Sequence, residues 1–324
     1  MSVRLAASAV DPASTLRAGA GSPGWTCAFV NNMPDGAFDA TERQFLDLLE
    51  AASGPDEIVV HRYALEGVDR GERTALRIAQ QYSSLGALQN SAPDILIVTG
   101  SNPVQARIDD EPYWDDLVGL LSWASEHVSA MLLSCLAAHT ALSVFDDAER
   151  IHLATKCTGV FTQHVDTSHP LNAGLESEIL LPHSRTNSVL SSELREAGYR
   201  VAIQSDEVGW SVATRDINEC SVVLVQGHPE YDPSSLLREY RRDVGRYVRH
   251  ERDDLPCLPY HCVAEDDWEE LERMHETIIS GHRDPSIIAA YPFEEVGDRA
   301  PWDWRAMAIR MYANWLASVA QRRD

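Results

Sequence analysis

Seven short apolar runs punctuate the chain: Trp25–Asn32, Glu57–Ala64, Asp94–Gly100, Ala130–Cys135, Tyr199–Ser205, Val208–Thr214 and Cys220–Gly227. Each is bounded by polar or turn-forming residues and predicts a strand. Longer segments place apolar residues at three- and four-residue intervals and predict helices over Ala40–Ala52, Tyr113–Val128 and Ser234–Glu251, with Thr41 as the cap of the first. Their alternation predicts βα units around a mainly parallel sheet, a doubly wound α/β domain over residues 24–250. Residues 1–23 are small and polar, lack the uninterrupted apolar core of a signal peptide, and read as a flexible lead-in. From Glu251 onward acidic runs and prolines take over, until Trp302–Gln321 sets Trp304, Met307, Met311 and Trp315 on one helical face. Residues 251–324 are therefore expected to form a helical appendage packed on the core.

Charge narrows the possible partners. A net charge of −23, from 50 acidic and 27 basic residues, repels nucleic acid and anionic membrane. No stretch approaches the roughly 18 consecutive apolar residues of a membrane span. The six cysteines are scattered, without the density of a disulfide scaffold or the paired spacing of a zinc site, so a cytoplasmic protein with reduced thiols and no metal is expected. Every basic residue but one is arginine, and Lys156 stands out as the exception.

In open α/β sheets ligands bind beyond the carboxyl ends of the strands, so the residues after each apolar run are the candidates for chemistry. One run ends at Gly100, one at Cys135, and one at Gly227 followed by His228, Pro229 and Glu230. Cys135 falls between a strand and the helical segment Leu136–Phe145, a junction that exposes a sulfur at a helix N-terminus, where an anionic thiolate is favoured. A cysteine after a strand is more often a buried structural thiol. Here His228 and Glu230, one residue apart, can form with it a nucleophile, base and orienting carboxylate. His139, four residues after Cys135 on the same helix face, is a competing candidate for the base.

The motifs GHPEYD, LPHSR, KCTGVF and NNMPDGAFDATERQF, with VTG followed by PYW, resemble the homoserine O-succinyltransferase family over roughly residues 29–245. The resemblance implies a glutamine-amidotransferase-like (flavodoxin-like) fold and a homodimer. It also implies transfer of an acyl group, succinyl ahead of acetyl, from acyl-CoA to the hydroxyl of homoserine through an acyl-Cys135 intermediate, in methionine biosynthesis. No permanent cofactor is implied, only acyl-CoA as co-substrate. Gly100 and Leu136 would supply the oxyanion hole, and Lys156, Ser184, Arg185 and Arg242 would hold the amino acid. A guanidinium fork suits the carboxylate of such a zwitterion, which makes Arg242 its expected clamp with Lys156 a point charge beside it. Arg242 also reads as an ordinary solvated position on a helix.

Two departures bear on the substrates. CLAAHTAL differs from the family's CWxxQAAL at Leu136, His139 and Thr140, close to the nucleophile. The position that separates succinyl from acetyl users falls on Val104 or Gln105, which match neither pattern. Serine as acceptor, and amide hydrolysis by a class I glutaminase-like domain, are the alternatives.

Overall fold

The computed structural model describes residues 3–6, 24–55, 57–91, 93–281 and 283–323. Ten strands form one sheet: β1 (Val3–Leu5), β2 (Gly24–Val30), β3 (Glu57–Tyr63), β4 (Ile95–Val98), β5 (Ala130–Ser134), β6 (Ile151–Val165), β7 (Glu178–Ser188), β8 (Arg200–Ser205), β9 (Gly209–Ile217) and β10 (Cys220–Val225). Their spatial order is β1-β3-β2-β4-β5-β10-β9-β8-β6-β7. The five pairings from β1 to β10 are parallel, and the four beyond are antiparallel.

The inner parallel strands β4, β5 and β10, and most of β2, are buried on both faces, which is why they read as continuous apolar runs. Alternation sorts their side chains into two layers. Cys27, Phe29, Ile95, Ile97, Leu132, Val223 and Val225 face one layer. Ala28, Val30, Leu96, Val98, Leu133, Val222 and Leu224 face the other. Helices α1 (Asp35–Ala52), α7 (Ser235–Val248), α8 (Glu265–Ile279), α10 (Phe293–Asp298) and α11 (Arg305–Arg323) pack on the first layer. On the second lie α3 (Leu85–Ser91), α4 (Trp114–His127) and α5 (Leu136–Asp146). Three more α-helices, α2 (Glu72–Gln81), α6 (Ser191–Glu196) and α9 (Pro285–Ala290), complete those among the described residues. This is a doubly wound α/β fold, extended at one edge by an antiparallel ribbon.

The seven strands expected from the pattern are β2, β3, β4, β5, β8, β9 and β10. Strands β6 and β7 carry little apolar alternation and emerge only in the structure. Val3–Leu5, inside the expected lead-in, pairs with Ile58–Val60 as an edge strand, while residues 7–23 lie outside the described residues. Thr41 is not a cap, because α1 begins six residues earlier after Pro34 and leaves Thr41 buried within it. Trp304, Met307, Met311 and Trp315 share one hydrophobic cluster with the sheet. Between α11 and β7 lies a cavity of about 550 Å³ lined by residues such as Thr162, Leu180 and Arg310, none of them a candidate for the chemistry.

Candidate active site

Register brings the three informative strand ends together. Within adjacent parallel strands Val98 lies opposite Leu133, and Ser134 opposite Val225, so Gly100, Cys135 and the Gln226–His228 turn emerge at one edge. Cys135 sits at the N-cap of α5 with φ 49° and ψ −108°. Such a conformation costs a non-glycine residue about 1–3 kcal/mol and persists only where its surroundings enforce it. Here the Cys135 N–H donates to the Val225 carbonyl at 2.7 Å, and its own carbonyl accepts from the His139 N–H at 3.1 Å. The neighbouring strand end packs closely on it, since a Cβ on Gly100 would lie 3.1 Å from the Cys135 Cβ, a tight contact. Leu136 is the first residue of α5, where backbone N–H groups lack helical partners.

His228 is positioned by its backbone N–H, which donates to the Pro182 carbonyl of β7 at 2.8 Å. The close approach needs Gly227, since a Cβ there would meet the Leu181 side chain at 2.6 Å. Nδ1 of His228 lies 2.8 Å from Glu230 Oε1, and both residues are buried. A carboxylate only accepts, so Nδ1 carries the proton and Nε2 is left for the thiol. Nε2 is buried without a hydrogen-bond partner among the described residues. Burial alone would lower the imidazole's pKa, yet Glu230 and the Cys135 sulfur outweigh it and hold the pKa well above the ordinary value.

His139 is a different histidine. Its Nε2 lies 2.9 Å from the Gln226 side-chain oxygen, and the Gln226 amide donates to the Trp210 carbonyl at 2.7 Å. Buried among these groups, its pKa falls to about 4 through desolvation, so it is neutral and already engaged.

Strands β6 and β7 supply the second half of the site, with Thr158 opposite Ser184 and Cys157 opposite Arg185. Gly159 takes φ 147° because Tyr260 crosses it, with Tyr260 backbone atoms 2.6 and 2.7 Å from a Cβ built there. Lys156 Nζ lies 3.2 Å from Glu239 and 3.4 Å from Asp243, both on α7. Ser184 donates to the same Glu239 oxygen, Tyr231 donates to the other at 2.6 Å, and Arg242 Nε donates to Asp243 at 2.9 Å. Burial would raise the Glu239 carboxyl's pKa, but Lys156 and these hydrogen bonds bring it below its ordinary value. The Tyr231 ring also stacks on His228, with centroids 4.3 Å apart, so one side chain joins His228 to this charged cluster.

Lys156, Ser184 and Arg242 are thus brought together, whereas Arg185 does not join them. Alternation puts it on the opposite side of β7 from Ser184, where its guanidinium donates to the carbonyls of Asn187 and Val208. Val104 is 68% exposed, and the N–H groups of Val104 and Gln105 both donate to the Glu111 carboxylate. Sequence reasoning missed Glu239, Asp243 and Tyr231. Glu239, Arg242 and Asp243 share a helix face at i, i+3 and i+4, a signal present but indistinguishable from a solvated stripe.

A family described as homoserine O-succinyltransferase matches residues 25–324. The chain is 38% identical over 291 residues to a homoserine O-succinyltransferase of Rhodopseudomonas palustris, covering 90% of this chain and 87% of that one. A homoserine O-succinyltransferase of Bradyrhizobium japonicum is 39% identical over 268 residues, covering 82% of each chain. Among solved structures the chain is similar to SMU.1228c, with a TM-score of 0.51 and 13% identity over 91% of this chain and 99% of that one, a likeness of fold alone. The match along the whole described core, together with relatives this similar over most of their length, shows that the chain belongs to the homoserine O-succinyltransferase family of acyl-transferring enzymes.

Proposed function

We propose that this protein transfers the succinyl group of succinyl-CoA to the hydroxyl of L-homoserine through a thioester on Cys135. The observation that carries the reading is the joining, through Tyr231, of a Cys135–His228–Glu230 set to a cluster of paired charges suited to a zwitterionic amino acid.

In the first half-reaction the Cys135 thiolate attacks the thioester carbonyl of the donor. Negative charge develops on the carbonyl oxygen, where the Leu136 N–H at the start of α5 and the backbone at Gly100 form the oxyanion hole. The carbon–sulfur bond to CoA breaks, and the departing thiolate takes the Nε2 proton of His228. Exchange between two thioesters is close to energy-neutral, so the enzyme can hold the acyl group until the acceptor arrives. In the second half-reaction His228 Nε2 removes the proton of the homoserine hydroxyl as its oxygen attacks the acyl-cysteine, and the Cys135 thiolate is expelled. Glu230 keeps the imidazole in the required tautomer throughout. Glu239 accepts the substrate ammonium in place of Lys156, and Arg242 takes the substrate carboxylate.

Incubation with succinyl-CoA alone should leave one succinyl group, located by intact mass and peptide mapping on the peptide holding Cys135, and homoserine should discharge it. Normal turnover by Cys135→Ala, or intersecting rather than ping-pong kinetics with no acyl-enzyme, would refute the covalent route.

A further inference from the structure

One buried cation beside this site has no part in the chemistry above. The loop that follows β4 is folded around Glu111, which is 3% exposed and spends its carboxylate on backbone: the Val104 N–H lies 3.1 Å from both oxygens and the Gln105 N–H 3.2 Å from one. Against the same loop lies Arg150, the residue before β6, whose side chain is only 3% exposed. Its Nη2 donates to the carbonyls of Gln105 and Ala106 at 3.1 and 3.0 Å. Glu111 stands 3.9 Å from that nitrogen, beyond hydrogen-bond reach. Nε and Nη1 are both buried with no partner among the described residues.

A guanidinium carries five N–H donors and stays charged at every ordinary pH. Leaving two of its nitrogens dry and unpaired, with a carboxylate only at 3.9 Å, is costly unless an anion is received there. The loop that Arg150 braces begins at Gly100, which abuts Cys135. Arg150 also lies within electrostatic reach of the Cys135 sulfur and of the His139 ring. An anion reaching a buried guanidinium beside the nucleophile belongs to the acyl chain, the part of the donor attached to the reacting carbonyl. The side chain of Val104, by contrast, faces solvent.

We propose that Arg150 is a specificity-determining residue for the acyl donor, its unpaired N–H groups receiving the free carboxylate of a dicarboxylic acyl group such as succinyl while the thioester carbonyl lies at Cys135. This rests on the acyl-transfer reading above and specifies which part of the protein reads the donor.

The test compares succinyl-CoA with butyryl-CoA, which has the same chain length and a methyl group in place of the carboxylate, by CoA release with homoserine held constant. The wild-type protein should favour succinyl-CoA. Arg150→Gln, which keeps a donor for the loop carbonyls, should lower the succinyl-to-butyryl ratio of kcat/KM by roughly 30- to 1000-fold, the loss expected on removing one partner of a buried charge pair. Arg150→Lys should lower it less, since it keeps the charge and loses the fork, and it reads the same ratio should the Gln variant fail to fold. Equal losses for both donors would assign Arg150 to bracing the loop or supporting the thiolate and overturn the inference. A wild-type protein that transfers butyryl or acetyl groups as readily as succinyl would overturn it while leaving acyl transfer intact. No CoA release from any donor would instead sink the acyl-transfer reading itself.

Discussion

Replacing His139 by Gln should flatten the acid sensitivity of this protein and leave its turnover standing. The imidazole is buried and donates to Gln226, and desolvation places its folded pKa at about 4 against an ordinary value of 6.5. Below pH 6.5 the unfolded chain binds a proton that the folded chain refuses, so stability is lost as the pH falls from 6.5 toward 4 and the loss is complete below that. The full effect is about 3 kcal/mol at 1.36 kcal/mol per pH unit, and about 2 kcal/mol of it is incurred between pH 7.5 and pH 5. Glutamine has no proton to gain there and keeps an amide donor for Gln226. Urea unfolding of the wild-type and His139→Gln proteins across that range should therefore give curves that converge by about 2 kcal/mol as the medium is acidified. His183, buried with its pKa also well below the ordinary value, is common to both proteins and cancels in the difference. Parallel pH dependences would show that His139 is not a buried neutral group. Loss of turnover at pH 7.5 in a folded His139→Gln protein would make it, rather than His228, the base.

His228→Ala should abolish CoA release, while Glu230→Gln should leave a weak residual rate, because the imidazole moves the proton and the carboxylate only orients it; equal rates for the two variants would contradict that division. Glu239→Gln and Arg242→Ala should each raise the KM for homoserine by roughly 30- to 1000-fold with a far smaller effect on the KM for succinyl-CoA, and unchanged acceptor kinetics would remove both from the binding site. Gly159→Ala should destabilise the fold by more than about 1 kcal/mol, read from its thermal midpoint, because the new methyl meets the Tyr260 backbone at 2.6 Å in a conformation that side chains rarely adopt. A midpoint within a degree of wild type would show that the crossing segment yields.

How much was legible in the sequence follows from how local each signal is. Strands covered on both faces need apolar residues at nearly every position, so β2, β4, β5 and β10 are readable as runs, and the residues that follow them are readable as the edge that carries the candidate chemistry. Gly100, Cys135 and His228 are therefore marked by the sequence alone. Glu230, one residue from His228, favours that histidine over His139 as the candidate base, and the packing of the two rings separates them further by giving one a carboxylate and the other an amide. Strands β6 and β7 lie in the antiparallel ribbon, where partial exposure relaxes the apolar pattern that marks a strand. Their register, and the packing of α7 against them, decide that Lys156, Ser184 and Arg242 gather around Glu239 and Asp243 while Arg185 turns away. Arg150 and Glu111 are likewise two ordinary charges along the chain. Only the tertiary structure removes both from water and leaves two nitrogens of the Arg150 guanidinium without a partner among the described residues, because desolvation belongs to the assembled fold and not to any stretch of sequence.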